Sequence, residues 1–316
     1  MSRFFKCHRS EVQFPVSNEH PQEDYRNCQR GAYWALKSHK TAHSDDPAVV
    51  SIPTGGGKTA LMMLAGFEYE ASRVLLIVPS VSVREQLRNR FQNLTDLKDT
   101  GAISQDFSKP EVATLDGRIH NKPEWEEYRS ADVVITLPNS ISSEYATEQE
   151  NEVERPPPDL FDLIIVDEAH HSGAPSWRDI LSQFDHVPQV LFTATPFRRK
   201  HEELPGRLVY HYPINKAHED EIYNSIDLET IPDESQDALV TKAISTIHSL
   251  QRDNESASMM IRAGSINDAK NLAKRYNNHE NIDVATVHSE PDSDDDSDTI
   301  KNLQKGDLDG VVVVDK

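Results

Sequence analysis

The sequence is poor in cysteine, in long apolar runs and in basic residues. Two cysteines, Cys7 and Cys28, among 316 residues exclude a disulfide framework. Nor can they alone supply the four thiolates of a structural zinc site. So few thiols fit a reducing, cytoplasmic compartment. No apolar stretch approaches the ~18 residues of a membrane span, mean hydropathy is -0.64, and the opening MSRFFKCHRS lacks the long apolar segment of a secretory signal. A membrane protein is therefore not expected. Apolar residues make up 36%, and carboxylates fill the shortfall: 53 Asp and Glu face 33 Lys and Arg, for a net charge of -20. That balance argues against a protein that grips phosphate backbones over its whole surface, because such affinity comes from cations that displace counterions. It leaves room for a local basic groove, and it is also the composition expected of proteins in a high-salt cytosol, where self-repulsion is screened. The excess is uneven, with 23 basic and 31 acidic residues in 1–212 against 10 and 22 in 213–316.

What the chain does contain is an alternation of short β-branched runs with amphipathic stretches, the pattern of a parallel α/β sheet. Ala48–Ile52, Val74–Val78, Val133–Thr136, Leu163–Val166 and Val190–Thr193 are the expected strands. Their near-continuous apolar character suits strands covered on both faces. Apolar positions three or four apart place helices at Ala60–Ala71, Val83–Gln92 and Ser176–Phe184. Glu144–Pro158, charged and ending in three prolines, reads as a solvated loop or a frayed helix end. Beyond the polar tract His218–Gln236 comes a smaller α/β pattern: a helix at Asp237–Leu250, a strand at Ser258–Arg262, a helix at Ile266–Asn277, and strands at Val284–Val287 and Val311–Val314. The expected organisation is a first domain at 1–212, a linker at 213–237 and a second domain at 238–316. The like-charge run Asp292–Asp298 is expected to be an exposed loop rather than a metal site.

Ser51–Thr59, SIPTGGGKT, follows a strand and opens a helix. Consecutive glycines let backbone N–H groups cradle phosphates, Lys58 can reach the terminal phosphates, and Thr59 can offer its hydroxyl to Mg2+. Thr54, Gly55, Gly56, Gly57, Lys58 and Thr59 are thus the expected binders of a nucleoside triphosphate. The general fingerprint is met in part, since Ile52 stands where it wants a glycine. Leu163–His171, LIIVDEAHH, is an apolar strand ending in two carboxylates. Asp167 is placed to hold Mg2+, directly or through water, and Glu168 to orient and deprotonate an attacking water. The neighbouring His170 and His171 point apart on an extended or a helical backbone, which argues against a zinc pair.

Together these residues resemble the superfamily 2 helicases, in particular the DEAD/DEAH-type group that includes restriction-enzyme motor subunits. PTGGGKT (Pro53–Thr59) is similar to the group's first motif, DEAHH (Asp167–His171) to its second, and TATP (Thr193–Pro196) to its third. YRNCQ (Tyr25–Gln29) is similar to its adenine-contacting element. The resemblance implies a RecA-like first domain, complete at roughly residues 20–212, that binds ATP and Mg2+ with Gln29 reading the base edge. Thr193 and Thr195, linked through His170, would couple the nucleotide state to a nucleic-acid track. Val78–Leu87 and Thr136–Ser140 are similar to motifs Ia and Ib, which would make Ser80, Arg84, Thr136 and Asn139 contacts to that track; turns of this composition also occur in any α/β sheet. The basic cluster Phe197–His201 would line the same groove or stand as a solvated loop. The combination looks most like restriction and repair motors, so DNA is the expected partner, with RNA as the alternative.

In the acidic third, Met259–Ala269 resembles motif IV, Val284–Ser289 the strand that follows it, and Val311–Asp315 the strand leading into motif V. The glycine and aspartate expected next, and the arginine-bearing motif VI, have no counterpart here, and no arginine follows Arg275. The second RecA-like domain is therefore expected to be incomplete and hydrolysis weak, since an arginine finger contributes ~10³–10⁵ in rate. Two other classes stay open: a P-loop ATPase that acts on protein, and a non-catalytic nucleotide- or DNA-binding fragment. Nothing in the sequence identifies a nuclease or methyltransferase partner.

Overall fold

Four-residue runs such as VLLI and LIIV are too short for helices and too apolar for a surface, and in the computed structural model they form the middle of a parallel sheet. The structure describes residues 3–15, 25–42, 46–142, 153–169, 175–196, 204–223, 227–231, 235–252, 257–288 and 296–314. The chain divides into two compact units, 1–225 and 226–316.

The first unit runs α1 (Phe4–His8), α2 (Asn27–Thr41), β1 (Ala48–Ser51), α3 (Lys58–Glu68), β2 (Val74–Ile77), α4 (Val81–Asn93), α5 (Thr95–Asp99), β3 (Val112–Leu115), α6 (Lys122–Glu126), β4 (Val133–Thr136), α7 (Pro138–Ile141), β5 (Leu163–Val166), α8 (Pro175–Ser182), β6 (Gln189–Thr193), β7 (Arg207–His211) and α9 (Ile214–Glu219). Seven parallel strands lie in the order β3-β4-β2-β5-β6-β1-β7. Successive side chains point to opposite faces. Val50, Leu76, Ile135, Ile165 and Phe192 therefore enter one core, while Val49, Leu75, Val134, Ile164 and Leu191 enter the other. This parallel sheet, with a core on each face, is the α/β class expected of the first domain from the sequence.

All five expected strands are present, and two more close the edges. β3 is half-buried, and β7 is largely exposed. Neither has the apolar run of a central strand, which is why the pattern did not reveal them. α2 packs on β7 so closely that a Cβ on Gly31 would lie 2.3 Å from the Tyr210 hydroxyl. The expected linker at 213–237 is corrected at its start, because α9 and the turn after it belong to the first unit. Ala217 is fully buried there, and Asp220 accepts hydrogen bonds from Tyr212 and, at 2.9 Å, from Asn27.

The second unit runs α10 (Gln236–Arg252), β8 (Met259–Ala263), α11 (Ile266–Asn277), β9 (Val284–Val287), α12 (Asp296–Lys305) and β10 (Gly310–Val314). Its three parallel strands follow the order β8-β10-β9. Val240, Ile244, Leu272, Tyr276 and Val312 form its core. The acidic run Asp292–Asp298 is not all loop: Asp296–Asp298 open α12, and 292–295 lie outside the described residues. The same holds for 144–152 of the charged Glu144–Pro158 segment, while 153–158 follow an irregular path. Among the described residues no helix is long and apolar enough to cross a membrane. Cys7 is exposed and Cys28 buried, both free thiols.

Candidate nucleotide site

The carboxyl ends of β1, β5 and β6 bring together segments far apart in sequence. β6 lies between the other two, with Ser51 beside Thr193 and Val166 beside Leu191. The Ile52 N–H donates to the Thr193 carbonyl at 3.0 Å. The glycine loop, the paired acids and the TATP turn therefore share one edge, the place where open α/β sheets bind ligands.

After β1 the chain needs a tight reversal before α3. Gly55 and Gly57 supply it with φ of 81° and 84°, in the left-handed region where a Cβ is strained. Gly57 is the N-cap of α3, and no side chain caps that end. The first helical N–H groups and the positive end of the dipole face the loop, as an anion-binding turn requires. Lys58, the first residue of α3, places its Nζ 3.3 Å from Glu168 Oε1. Glu168 has φ of 50°, an uncommon value outside glycine, and its N–H donates to Asp167 Oδ1 at 2.9 Å. The two adjacent carboxylates are thus sent different ways: Glu168 towards Lys58, Asp167 inward at 9% exposure. Burial first, and then the Glu168 charge, push the Asp167 carboxyl up to about 6, against the opposing pull of Lys58. These groups line a cleft of about 660 Å³ together with Gln29, Thr54, Gly55, Gly57 and Thr59. Gly56 does not line it; its N–H closes a turn on the Pro53 carbonyl at 3.0 Å.

Other expected residues have different surroundings. Gln29 is 4% exposed and both ends of its amide are engaged: Oε1 accepts from the Arg26 N–H at 2.9 Å, and Nε2 donates to the Gly57 carbonyl at 3.2 Å. Here it shapes the loop rather than presenting a free edge to a base. Arg84, expected to meet phosphates, is corrected to a buried position at 7% exposure. It donates to the Leu115 carbonyl at 3.1 Å and pairs with Asp116. Thr136, the last residue of β4, is fully buried and its hydroxyl donates to the Leu137 carbonyl at 3.3 Å, so it offers no surface contact either. Ser80 and Asn139 are exposed; Ser80 caps α4 by accepting from the Val83 N–H at 3.3 Å. Thr193 is buried, and its hydroxyl accepts from the N–H of the exposed Thr195 at 3.1 Å. His170, His171 and the basic cluster 197–201 lie outside the described residues.

Several cleft residues lie in no motif of the sequence: Arg90, Asp96, Asp99 and Thr100. Arg90 and Asp96 form an ion pair within it. α4 and α5 look like ordinary amphipathic surface until the fold places them beside the loop. Among the described residues no cluster of three His, Cys, Asp or Glu could hold a metal by itself.

Comparison with known proteins bears on the fold and the family. A helicase of Mycobacterium smegmatis, Lhr bound to ssDNA and AMP-PNP, superposes with a TM-score of 0.58 over 94% of this chain and 42% of that one, at 16% identity. The helicase domain of Pyrococcus furiosus Hef superposes at 0.51 over 92% of this chain and 87% of that one, at 12% identity. At such identities the likeness establishes the fold, which is that of helicase domains. The endonuclease subunit of the Escherichia coli type I restriction enzyme EcoAI is 40% identical over 70 residues, 20% of this chain and 8% of that subunit. The match thus spans a small part of that relative. The model of the family described as type III restriction enzyme, res subunit, matches residues 22–198, which hold both the glycine loop and the paired acids. With more than half of its length inside that model, the chain belongs to the type III restriction enzyme res-subunit family.

Proposed function

We propose that this protein is an ATP-driven translocase that moves on DNA, with the chemistry carried by Lys58, Asp167 and Glu168. The observation that carries the reading is the 3.3 Å approach of Lys58 to Glu168 beside a buried Asp167, at the mouth of an uncapped helix. The residues present fit ATP with Mg2+. Lys58 and the opening N–H groups of α3 suit terminal phosphates. Mg2+ needs only one or two protein oxygens beside those of phosphate, so Asp167 with the Thr59 hydroxyl suffices without a larger acidic cluster. Mg2+ would supply charge neutralisation on the phosphate oxygens. In this reading Lys58 exchanges its partner Glu168 for phosphate, and Glu168 then accepts a proton from the attacking water as the terminal phosphoryl group leaves ADP.

DNA is favoured by the relatives: a restriction endonuclease subunit in EcoAI and a single-strand complex in Lhr. Ser80 and Asn139, exposed at strand-end turns, are the contacts this reading assigns to the track, and Thr193 with Thr195 the link to it. Two free cysteines fit a cytoplasmic site of action. The test is ATP turnover by the chain with Mg2+, alone and with single-stranded DNA, double-stranded DNA or RNA. A weak basal rate that DNA raises is expected, and Glu168→Gln should keep nucleotide binding while removing that turnover. Parent-level turnover in that variant would reject Glu168 as the base, and stimulation by RNA alone would reject DNA as the track.

A further inference from the structure

The start of α2 lies across the glycine loop, and three of its side chains donate to three successive loop carbonyls. Arg26 donates to Gly55, Cys28 Sγ to Gly56 at 3.2 Å, and Gln29 Nε2 to Gly57 at 3.2 Å. A trans peptide is planar with its C=O and N–H on opposite sides, so a donor that holds a carbonyl towards α2 aims the next residue's N–H away from it. The first of the three peptides shows this. With its carbonyl on Arg26, its N–H, that of Gly56, meets the Pro53 carbonyl at 3.0 Å and closes the turn. The other two aim the N–H groups of Gly57 and Lys58, which open α3.

Packing between α2 and the loop leaves little slack. A Cβ on Gly57 would lie 2.2 Å from Gln29 Nε2, and one on Gly56 would lie 2.3 Å from the Ile52 side chain and 3.6 Å from Cys28 Sγ. Cys28 is fully buried. Burial is the main influence raising its thiol pKa, which keeps the sulfur protonated and therefore a donor.

Building on the nucleotide reading above, we infer that Arg26, Cys28 and Gln29 act as positioning residues that hold the loop in its phosphate-receiving form before nucleotide arrives, the Cys28 thiol fixing the Gly57 N–H. This role belongs to the hydrogen-bond donor, not to the volume of the side chain. The loop then binds the triphosphate without first reorienting its peptides, a saving that comes from preorganisation.

The experiment titrates the full chain with a fluorescent ATP analogue and, in competition, with inorganic triphosphate, which has no base or sugar to bind elsewhere. Cys28→Ala should weaken both ligands by the same factor, about threefold to tenfold for one lost hydrogen bond. Cys28→Ser, which keeps a donor, should restore most of the affinity. Parent-level binding of both ligands by Cys28→Ala would overturn the inference, as would a Cys28→Ser variant that loses as much as Cys28→Ala. If Cys28→Ala does not fold, the exposed Arg26→Met carries the test, since it frees the Gly55 carbonyl without disturbing the core. About a twofold or greater loss supports the clamp, and parent affinity in that variant overturns it. A parent chain that binds neither ligand rejects the nucleotide reading itself and the clamp with it. Parent binding with unaffected variants rejects the clamp alone.

Discussion

The glycine loop after β1 and the turns that follow β2 and β4 lie on the same edge of one sheet, yet their expected residues fare differently. At the loop, Lys58, Thr59, Asp167 and Glu168 converge in one cleft. At the other two turns Ser80 and Asn139 are exposed, while Arg84 and Thr136 are buried. The loop's chemistry resides largely in its backbone, and the backbone there is dictated by left-handed glycines that only a few sequences supply. At the turns the side chain decides, and a residue in the first turn of α4 can equally face solvent or fold back on β3. Arg84 does the latter because the Leu115 carbonyl and Asp116 stand ready to receive it.

The contrast can be tested from both ends. Lys58→Ala should cause the largest change, weakening ATP binding by about 10- to 150-fold, the worth of a charge-assisted contact; fluorescent-nucleotide titration reads it, and unchanged affinity would unseat the loop from its role. Arg84→Ala should act on stability instead, lowering unfolding free energy by about 1–3 kcal/mol because the buried Leu115 carbonyl is left unmet, while the exposed Asp116 is met by water. A loss of DNA affinity with unchanged denaturant midpoint would return Arg84 to the track.

Asp167→Asn is a finer probe, since it removes a buried charge at nearly constant shape. The Asp167 carboxyl is raised to about 6 from 3.8, so the folded protein holds the proton more tightly than the unfolded chain. Its favourable contribution is present in full below about pH 4 and is lost as pH rises through about 6. The asparagine variant should therefore be more stable than the parent at pH 8, by on the order of 1–2 kcal/mol, with the gap closing towards pH 4. Thermal unfolding across that range checks the sign, and a variant that is less stable at pH 8 would show that the ionised carboxylate is well accommodated. Ser80→Ala should have the smallest effect, about 0.5–1 kcal/mol of stability from the lost cap on α4. A drop in DNA binding beyond that expected from the stability change would mark Ser80 as a contact as well as a cap.

Much of this molecule is legible in its amino-acid sequence. The central strands announce themselves because burial on two faces demands apolar side chains at every position, as in Leu163–Val166. The loop and the acids announce themselves because three glycines before Lys-Thr, and two adjacent carboxylates closing an apolar strand, are rare local patterns. Edge strands β3 and β7 stay hidden, since a half-exposed strand has no such demand. So does α9, short and polar, whose place in the first unit depends on Tyr212 and Asn27 meeting Asp220, the latter across a long stretch of chain. α12 stays hidden as well, starting inside an acidic run that reads locally as loop.

The sequence alone thus determined the sheet class, the glycine loop and the position of the two acids, all properties of local pattern. Only the tertiary structure decided that Lys58 rests on Glu168, that Asp167 is buried while its neighbour is not, and that Arg26, Cys28 and Gln29 reach the loop carbonyls. Those depend on strand order and on the packing of α2 over β1 and β7. They fix distances between residues up to 110 positions apart, as with Lys58 and Glu168, and no local pattern encodes the direction in which a side chain meets a partner that far away.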